Sequence, residues 1–482
     1  MESIYKQPVM RLSHLAMAAT LVLSACAVGP DYQAPTVADA AFVQAPLLAQ
    51  RAVTAPMPAL DQWWNGFNDP VLRRVVQRAI DQNLDLAASL ARVEQARAVA
   101  QHAGAQQLPQ ADLETQAARQ KQSLNSPLGK IASNLPGYER TQSLYDVGVG
   151  ASWELDLAGG LKRGTQAAHA ERDAAEADHL GVRISIAAEA ADAYFRIRAA
   201  QARIRLAQQQ VNTDDQLQTL VSLRLHDGLA TQRDLALAQA QLAQARGAIA
   251  PLQIEQEQQL NRLDVLMGAL PGTYAGELQQ DSAALTAVPD IRVDGGSAAL
   301  LRRRPDVRAA ERRLAASNAH IGSAMSEYYP KLSLSALLGF ESLGATGLLT
   351  ANSLQPQAAL GLRWRLFDFG RVDAEVAQAQ GANREALARY RQTVLRATED
   401  VENAIVTLVQ LEQQQHALID EVQARERARG ATQDAYLGGA LALNDVLEED
   451  RLLLHARDQL VQLRSDDARA AVASFRALGG GW

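Results

Sequence analysis

Residues 306–330 read DVRAAERRLAASNAHIGSAMSEYYP, and residues 85–109 read DLAASLARVEQARAVAQHAGAQQLP. Asp85 and Asp306, Ala98 and Ala319, Ala103 and Ala324, and Pro109 and Pro330 match at an offset of 221. Past Pro330 the offset drops to 211, pairing Gly150 with Gly361, Trp153 with Trp364, Gly228 with Gly439, Asp234 with Asp445 and Arg246 with Arg457. The second copy therefore has a shorter loop between Pro330 and Trp364, and the chain reads as a duplication rather than as two unlike domains. The repeats are 69–288 and 289–482, preceded by a leader at 1–25 and an N-terminal segment at 26–68.

Each half has the same order of elements. A helix over 69–104 stops at Leu108-Pro109, because proline cannot continue it. A strand at 111–120 follows, then a polar loop carrying Asn125-Ser126-Pro127 and Leu135-Pro136-Gly137, then a second strand at 145–157. The second half places its strands at 331–340 and 358–367, with Gly344 and Gly347 between them. Four strands of about ten residues have the length to cross a membrane at a barrel tilt, but the smallest transmembrane barrel needs about eight. The chain thus supplies part of a shared barrel.

A proline-free helical stretch follows each second strand, over 161–225 and 371–436. At 1.5 Å per residue, about 65 residues reach about 100 Å, which nothing globular requires. Val394, Ala397, Val401, Ala404, Leu408, Leu411, Leu418 and Val422 hold the a and d positions of a heptad, broken only by Gln415. Each long helix ends at a glycine turn, Asp227-Gly228 or Gly438-Gly439. A helix returns from each turn, over 231–267 with an interruption near Pro251, and over 444–478. The expected fold is mainly α with a β-barrel portion. A soluble coiled coil would account for the helices, but not for paired strands placed identically in both halves.

Near the N-terminus, Lys6 and Arg11 precede an apolar stretch from Leu15 to Leu23, followed by Leu23-Ser24-Ala25-Cys26. The apolar run falls far short of the roughly 20 residues a spanning helix needs. It reads as a leader that is removed, with Met10 an alternative start. Cys26 is the only cysteine, which excludes an internal disulfide and a Cys-rich metal site. Its setting resembles a bacterial lipobox, so Cys26 is the expected lipidation site, and several acyl chains there would anchor stably where one would not. Ala27 rather than an acidic residue follows, as in lipoproteins passed on to the outer membrane. No later stretch approaches 18 apolar residues, so any spanning element must be a barrel.

The net charge of −7 is spread through interspersed acids and bases, which leaves no basic face for nucleic acid. The eight histidines show no metal-ligand spacing, and the few methionines give no support to a copper or silver path. Serine, histidine and aspartate are too scattered for a catalytic triad. The chain is expected to be no enzyme, and to hold no cofactor beyond a covalent lipid on Cys26. Trp63 and Trp64 are read as packing residues rather than ligand binders, and Arg302, Arg303 and Arg304 as one face of a solvated helix start.

Specific motifs now coincide. They are Cys26-Ala27-Val28-Gly29-Pro30-Asp31-Tyr32 with Pro35; Trp63-Trp64 with Phe67 and Asp69-Pro70; and Arg303-Arg304-Pro305-Asp306-Val307-Arg308 with Glu311, Asn318-Ala319, Ile321-Gly322 and Tyr329-Pro330. In this order, and in register with the duplication, the chain resembles the TolC-like outer-membrane factors, and within them the lipoprotein branch that includes OprM and NodT. The resemblance implies a homotrimer whose twelve strands close one outer-membrane barrel and whose twelve helices form a periplasmic tunnel. It implies a tripartite efflux system, with a periplasmic membrane-fusion adaptor and an inner-membrane pump of RND type as partners and outer-membrane lipid around the barrel. The exit duct of a type I protein secretion system and a non-conducting periplasmic scaffold lipoprotein are the alternatives. Asp445 and Glu448 match the acidic residues that narrow the closed tunnel in such ducts, and Tyr436 a tyrosine that helps hold them shut. Asp234 is the duplicate of Asp445. Leu441 stands where some members have an arginine lock, so that ion pair does not carry over.

Overall fold

The computed structural model describes residues 27–36, 41–48, 51, 58–280, 288–292 and 296–480. The leader and Cys26 lie outside the described residues. In chain order the helices are α1 (Ala45–Leu48), α2 (Pro70–Gln82), α3 (Leu84–Ala105), α4 (Pro127–Ala132), α5 (Gly160–His226), α6 (Gln232–Gly247), α7 (Ile249–Leu266), α8 (Ala275–Gln280), α9 (Ser297–Arg303), α10 (Pro305–Met325), α11 (Arg371–Leu437) and α12 (Leu443–Ala477). The strands are β1 (Gln110–Lys121), β2 (Thr141–Leu155), β3 (Lys331–Ser342) and β4 (Leu354–Arg363). The two long helices have 67 residues each. No described helix is long and apolar enough to cross a membrane. The described residues fold as two compact units, each drawing on both halves: those within 27–34, 94–174 and 311–389 in one, those within 35–93, 175–310 and 390–480 in the other.

The first unit is built on one antiparallel sheet in the order β1-β2-β3-β4. Side chains alternate between faces along a strand, and the register sorts them by polarity. Leu113, Val149 and Leu338 stand side by side on one face, with Trp153, Leu334 and Leu360 in a parallel row. The opposite face carries Asp112, Glu114, Gln116, Asp146, Glu341, Gln355 and Gln357, with Gly148, Gly150 and Gly339 among them. The duplicated indoles are used alike: Trp153 Nε1 donates to the Gln107 carbonyl at 2.9 Å, and Trp364 Nε1 to the Tyr328 carbonyl at 3.0 Å. Gln107 and Tyr328 are themselves partners at the 221 offset.

The first described residues dock beside the β2–α5 connection. Val28 N donates to the Ala158 carbonyl at 2.9 Å. Arg163 gathers the Val28 carbonyl, the Gly29 carbonyl and the Asp31 carboxylate. Gly29 has φ +92°, and a Cβ there would stand 2.4 Å from the Gly322 backbone, so no other residue fits. An alanine seam, Ala167 and Ala170 against Ala315, Ala316 and Ala319, lets α5 and α10 approach closely.

The second unit is helical. Trp63 and Trp64 are buried, and the Trp63 ring stacks on Phe475 at 5.5 Å, which bears out their reading as packing residues. Asp69 caps α2 by accepting from Val71 N and Leu72 N. The Tyr194 hydroxyl also donates to Asp69, and Arg198 Nε donates to Tyr194 Oη at 3.0 Å. Burial and the Asp69 carboxylate raise the Tyr194 hydroxyl well above its ordinary range. The expected heptad seam is present: Ala397, Val401, Ala404, Leu408, Leu418 and Val422 are all buried. Leu418 and Val422 pack with Leu453, Ala456, Leu460 and Leu463 of α12.

Four expectations are corrected. The helix expected over 69–104 breaks at Asn83, whose Oδ1 accepts from Leu86 N and whose Nδ2 donates to the Leu266 carbonyl, so it caps one helix and ties down another. The 125–137 loop holds α4, with Ser126 accepting from Gly129 N ahead of Pro127. Strand β4 begins and ends four residues earlier than its expected 358–367, because Trp364 is held by the Tyr328 carbonyl and Pro356 is tolerated on an edge strand. Arg304 is not part of a solvated face: it is 7% exposed and donates to the Ala397 and Ala477 carbonyls and to Asp306 and Asp400. Arg302 and Arg303 are exposed, as expected.

Candidate functional site at the hairpin tips

The second unit ends in two helical hairpins, α5–α6 and α11–α12, built on the same local chemistry. Gly228 has φ +74° and Gly439 φ +78°, the left-handed conformation that glycine adopts without strain. Leu229 N donates to the Arg224 carbonyl at 2.7 Å, and Ala440 N to the Ala435 carbonyl at 2.9 Å. These 6→1 bonds close both long helices in a Schellman arrangement at positions 211 apart.

The returning helices start alike too. Thr231 N and Oγ1 both donate to Asp234 Oδ2, at 2.8 and 2.7 Å, and Asp234 N donates back to Thr231 Oγ1. Ala442 N donates to Asp445 Oδ2 at 3.0 Å. The two aspartates therefore share one structural task, satisfying an otherwise orphaned N–H at a helix start. The Thr231 hydrogen bonds hold the Asp234 carboxyl below the ordinary carboxylate range. That task is readable in the first half as Thr231-x-x-Asp234, while Ala442 hides it in the second.

Asp445 and Glu448 stand on the exposed side of α12, whereas Leu443, Val446 and Asp450 are buried. Glu448 accepts from Arg451 Nη2 at 2.6 Å and from Nε at 3.0 Å. That pairing lowers its pKa. Tyr436 is buried with Val221, Ala238, Leu443 and Val446 in a cluster drawn from all four hairpin helices. The Arg224 guanidinium lies 4.6 Å from the centre of its ring, a cation–π contact that the sequence did not signal. Asp234 belongs to the other hairpin, where it is engaged in its own capping box with Thr231. Among the described residues no group of three metal-ligating side chains comes together.

Comparison with known proteins agrees with this architecture. The profile of the outer membrane efflux protein family matches residues 75–269 and 297–480. The pyoverdine export outer membrane protein OpmQ of Pseudomonas putida is 33% identical over 422 residues, covering 87% of this chain and 88% of its own. A probable outer membrane lipoprotein of Salmonella typhimurium, SilC, is 27% identical over 98% of this chain and 99% of its own. Among solved structures, the outer-membrane channel OprN superposes with a TM-score of 0.86 at 30% identity, over 95% of this chain and all of that one. The open state of the Neisseria gonorrhoeae channel MtrE gives 0.81 at 26% identity, over 95% and 98%.

Proposed function

The chain belongs to the outer membrane efflux protein family, and from that premise we propose how this outer-membrane efflux channel is assembled and gated. Three copies close one twelve-stranded barrel. The observation that carries this reading is the four-stranded sheet, whose β1 and β4 are paired on one side only. Each unpaired N–H or C=O in lipid costs several kcal/mol, so a lone sheet cannot stay in a membrane. The apolar face with Leu113, Val149 and Leu338 turns to lipid and the face with Asp112, Glu114 and Asp146 to the lumen, as alternation in a transmembrane barrel requires.

The long helices continue the conduit on the periplasmic side, where a membrane-fusion adaptor and an inner-membrane pump of RND type deliver small molecules. The relatives' names span pyoverdine export and toluene efflux, which fits a duct whose cargo is chosen by the pump. Asp445 and Glu448, on one exposed side of α12, form the acidic constriction at the tip. Tyr436 holds the hairpins together behind it, and Asp234 stiffens the start of the neighbouring helix. Cys26 carries the lipid anchor, supported by the docking of Val28 and Gly29 beside the sheet. No step in this account is chemical catalysis; every named residue closes, lines, gates or anchors a pore.

Chemical crosslinking of the purified full-length protein in mild detergent should stop at three subunits. The trimer should also give stepwise current in a planar bilayer. A dominant monomer, or trimers that never conduct, would refute the channel assembly and favour a scaffold.

A further inference from the structure

Two carboxylates are buried in the hairpins where the conduction path makes no use of them. Asp214 on α5 is 1% exposed and Asp450 on α12 is 5% exposed. Gln210 Nε2 donates to Asp214 Oδ1 at 2.8 Å, and Arg429 Nε donates to Asp450 Oδ1 at 2.7 Å. The Oδ2 of each finds no hydrogen-bond partner among the described residues. Helical spacing explains their burial. Asp214 falls between Val211, which packs with Leu242 and Ala245 of α6, and Leu217, which packs against the cluster shared by all four helices, and Asp450 falls between Val446 and Leu453 on the buried side of α12.

The groups around the pair come from all four helices. On α5 there is Gln210; α6 contributes Ala238, Leu242 and Ala245 to the apolar clusters, and its Arg246 is ion-paired with Asp215 beside Asp214. The charge acting on Asp214 is Asp450 of α12, and Asp450 is paired with Arg429 of α11. Two carboxylates and one guanidinium leave one negative charge in excess, and burying an uncompensated charge is costly. One proton removes it.

We propose that Asp214 and Asp450 form a proton-binding latch between the two hairpins, packed when the pair holds one proton and loosened when that proton leaves. The proposal rests on the reading of these hairpins as the gated end of the tunnel. Asp450 lies five residues beyond Asp445, about 7.5 Å along the same helix, so movement at the latch reaches the constriction directly. Burial first, and then the Asp450 charge, pushes the Asp214 carboxyl up to about 6. Because this carboxyl is raised in the packed arrangement, packing is favoured at low pH and weakened as pH rises through about 6. The latch therefore closes on acidification.

Difference infrared titration of the full-length channel in detergent tests the proton site. In an Asp467→Asn background, which removes the other raised carboxyl, the channel should lose a protonated-carboxyl band as pH rises through about 6. Asp214→Asn should lack that band, and Asp450→Asn, which removes the neighbouring charge, should move its midpoint to lower pH. In bilayers the open-to-closed dwell ratio of the wild type should rise with pH by up to about tenfold per unit between about 4 and 6 and level off above about 6. It should stay flat in Asp214→Asn, and the slope should survive in the Asp445→Ala, Glu448→Ala double variant. A band retained in Asp214→Asn, or one that titrates with added sodium or magnesium at fixed pH, would overturn the proton site. A titrating band with pH-independent dwell times would overturn the latch. Should the wild type carry no current, the channel assembly fails instead, while the infrared result still decides the proton site.

Discussion

Asp467 is a further buried acid, with a different neighbourhood and a measurable consequence for stability. It sits on α12, 5% exposed, with Oδ1 lacking a hydrogen-bond partner among the described residues. Glu412 of α11 is close by, gripped by Arg51 through Nε at 2.9 Å and Nη2 at 2.6 Å. Burial, and then the Glu412 charge, push the Asp467 carboxyl up to about 7 against the pull of Arg51. A carboxyl raised from its ordinary 3.8 to about 7 holds its proton more tightly in the folded state, by about 4 kcal/mol at about 1.4 kcal/mol per pH unit. This contribution is fully present below 3.8 and is lost as pH rises to about 7. Asp467→Asn keeps the size and removes the titration. Thermal unfolding in detergent, followed by circular dichroism, should therefore give coincident stabilities at about pH 4 and an advantage for the variant at about pH 8, with about 4 kcal/mol as its ceiling. Taking the difference between the two proteins cancels other titrating groups, Asp214 included. Parallel curves, or a variant less stable than the wild type at high pH, would refute the argument that an uncompensated carboxylate is buried here.

Three further perturbations test separate parts of the molecule. Cys26→Ser should abolish acyl labelling and leave the precursor uncut by lipoprotein signal peptidase, read by metabolic labelling and gel mobility; the barrel can still insert, so transport need not be lost. Asp445→Ala with Glu448→Ala should weaken block by multivalent cations such as cobalt hexammine and reduce cation preference in bilayer recordings. If both are unchanged, Asp234 becomes the candidate for the ring. Arg304→Met should lower stability by about 1–3 kcal/mol, the cost of leaving buried carbonyls without their donor. Arg304→Lys should not rescue it, since one ammonium cannot span Ala397, Ala477, Asp306 and Asp400 as the guanidinium does.

What the sequence makes legible follows from how local each signal is. The 67-residue helices are readable because proline is absent from both and, in α11, a heptad holds except at Gln415, and their ends because Gly228 and Gly439 stand where only a left-handed residue closes a helix. Sheet membership is readable from the duplication, but strand register is not: Pro356 argues against a strand until β4 is known to lie at an edge. Asn83 looks like a tolerable helix residue until its contact with the Leu266 carbonyl, nearly two hundred residues away, is seen. Arg304 fails for the same reason, because its carbonyl partners, Ala397 inside α11 and Ala477 at the end of α12, lie 93 and 173 residues away.

The duplication itself conveys position rather than chemistry. Asp234 and Asp445 occupy matched positions and perform matched tasks, so the repeat predicts them jointly. Asp214 has Arg425 as its counterpart at the 211 offset, an acid in one half answered by a base in the other. Arg425 is paired with Glu421 of its own helix, and it is Arg429, one turn on, that reaches the buried Asp450. Charge balance in the hairpins is thus settled between the two halves, after they have diverged. A shape shared by both copies, with charges that diverge at Asp214 while the Arg246–Asp215 and Arg457–Glu426 pairs stay matched, is what allows one coiled-coil scaffold to hold a titratable pair at a single place in its length.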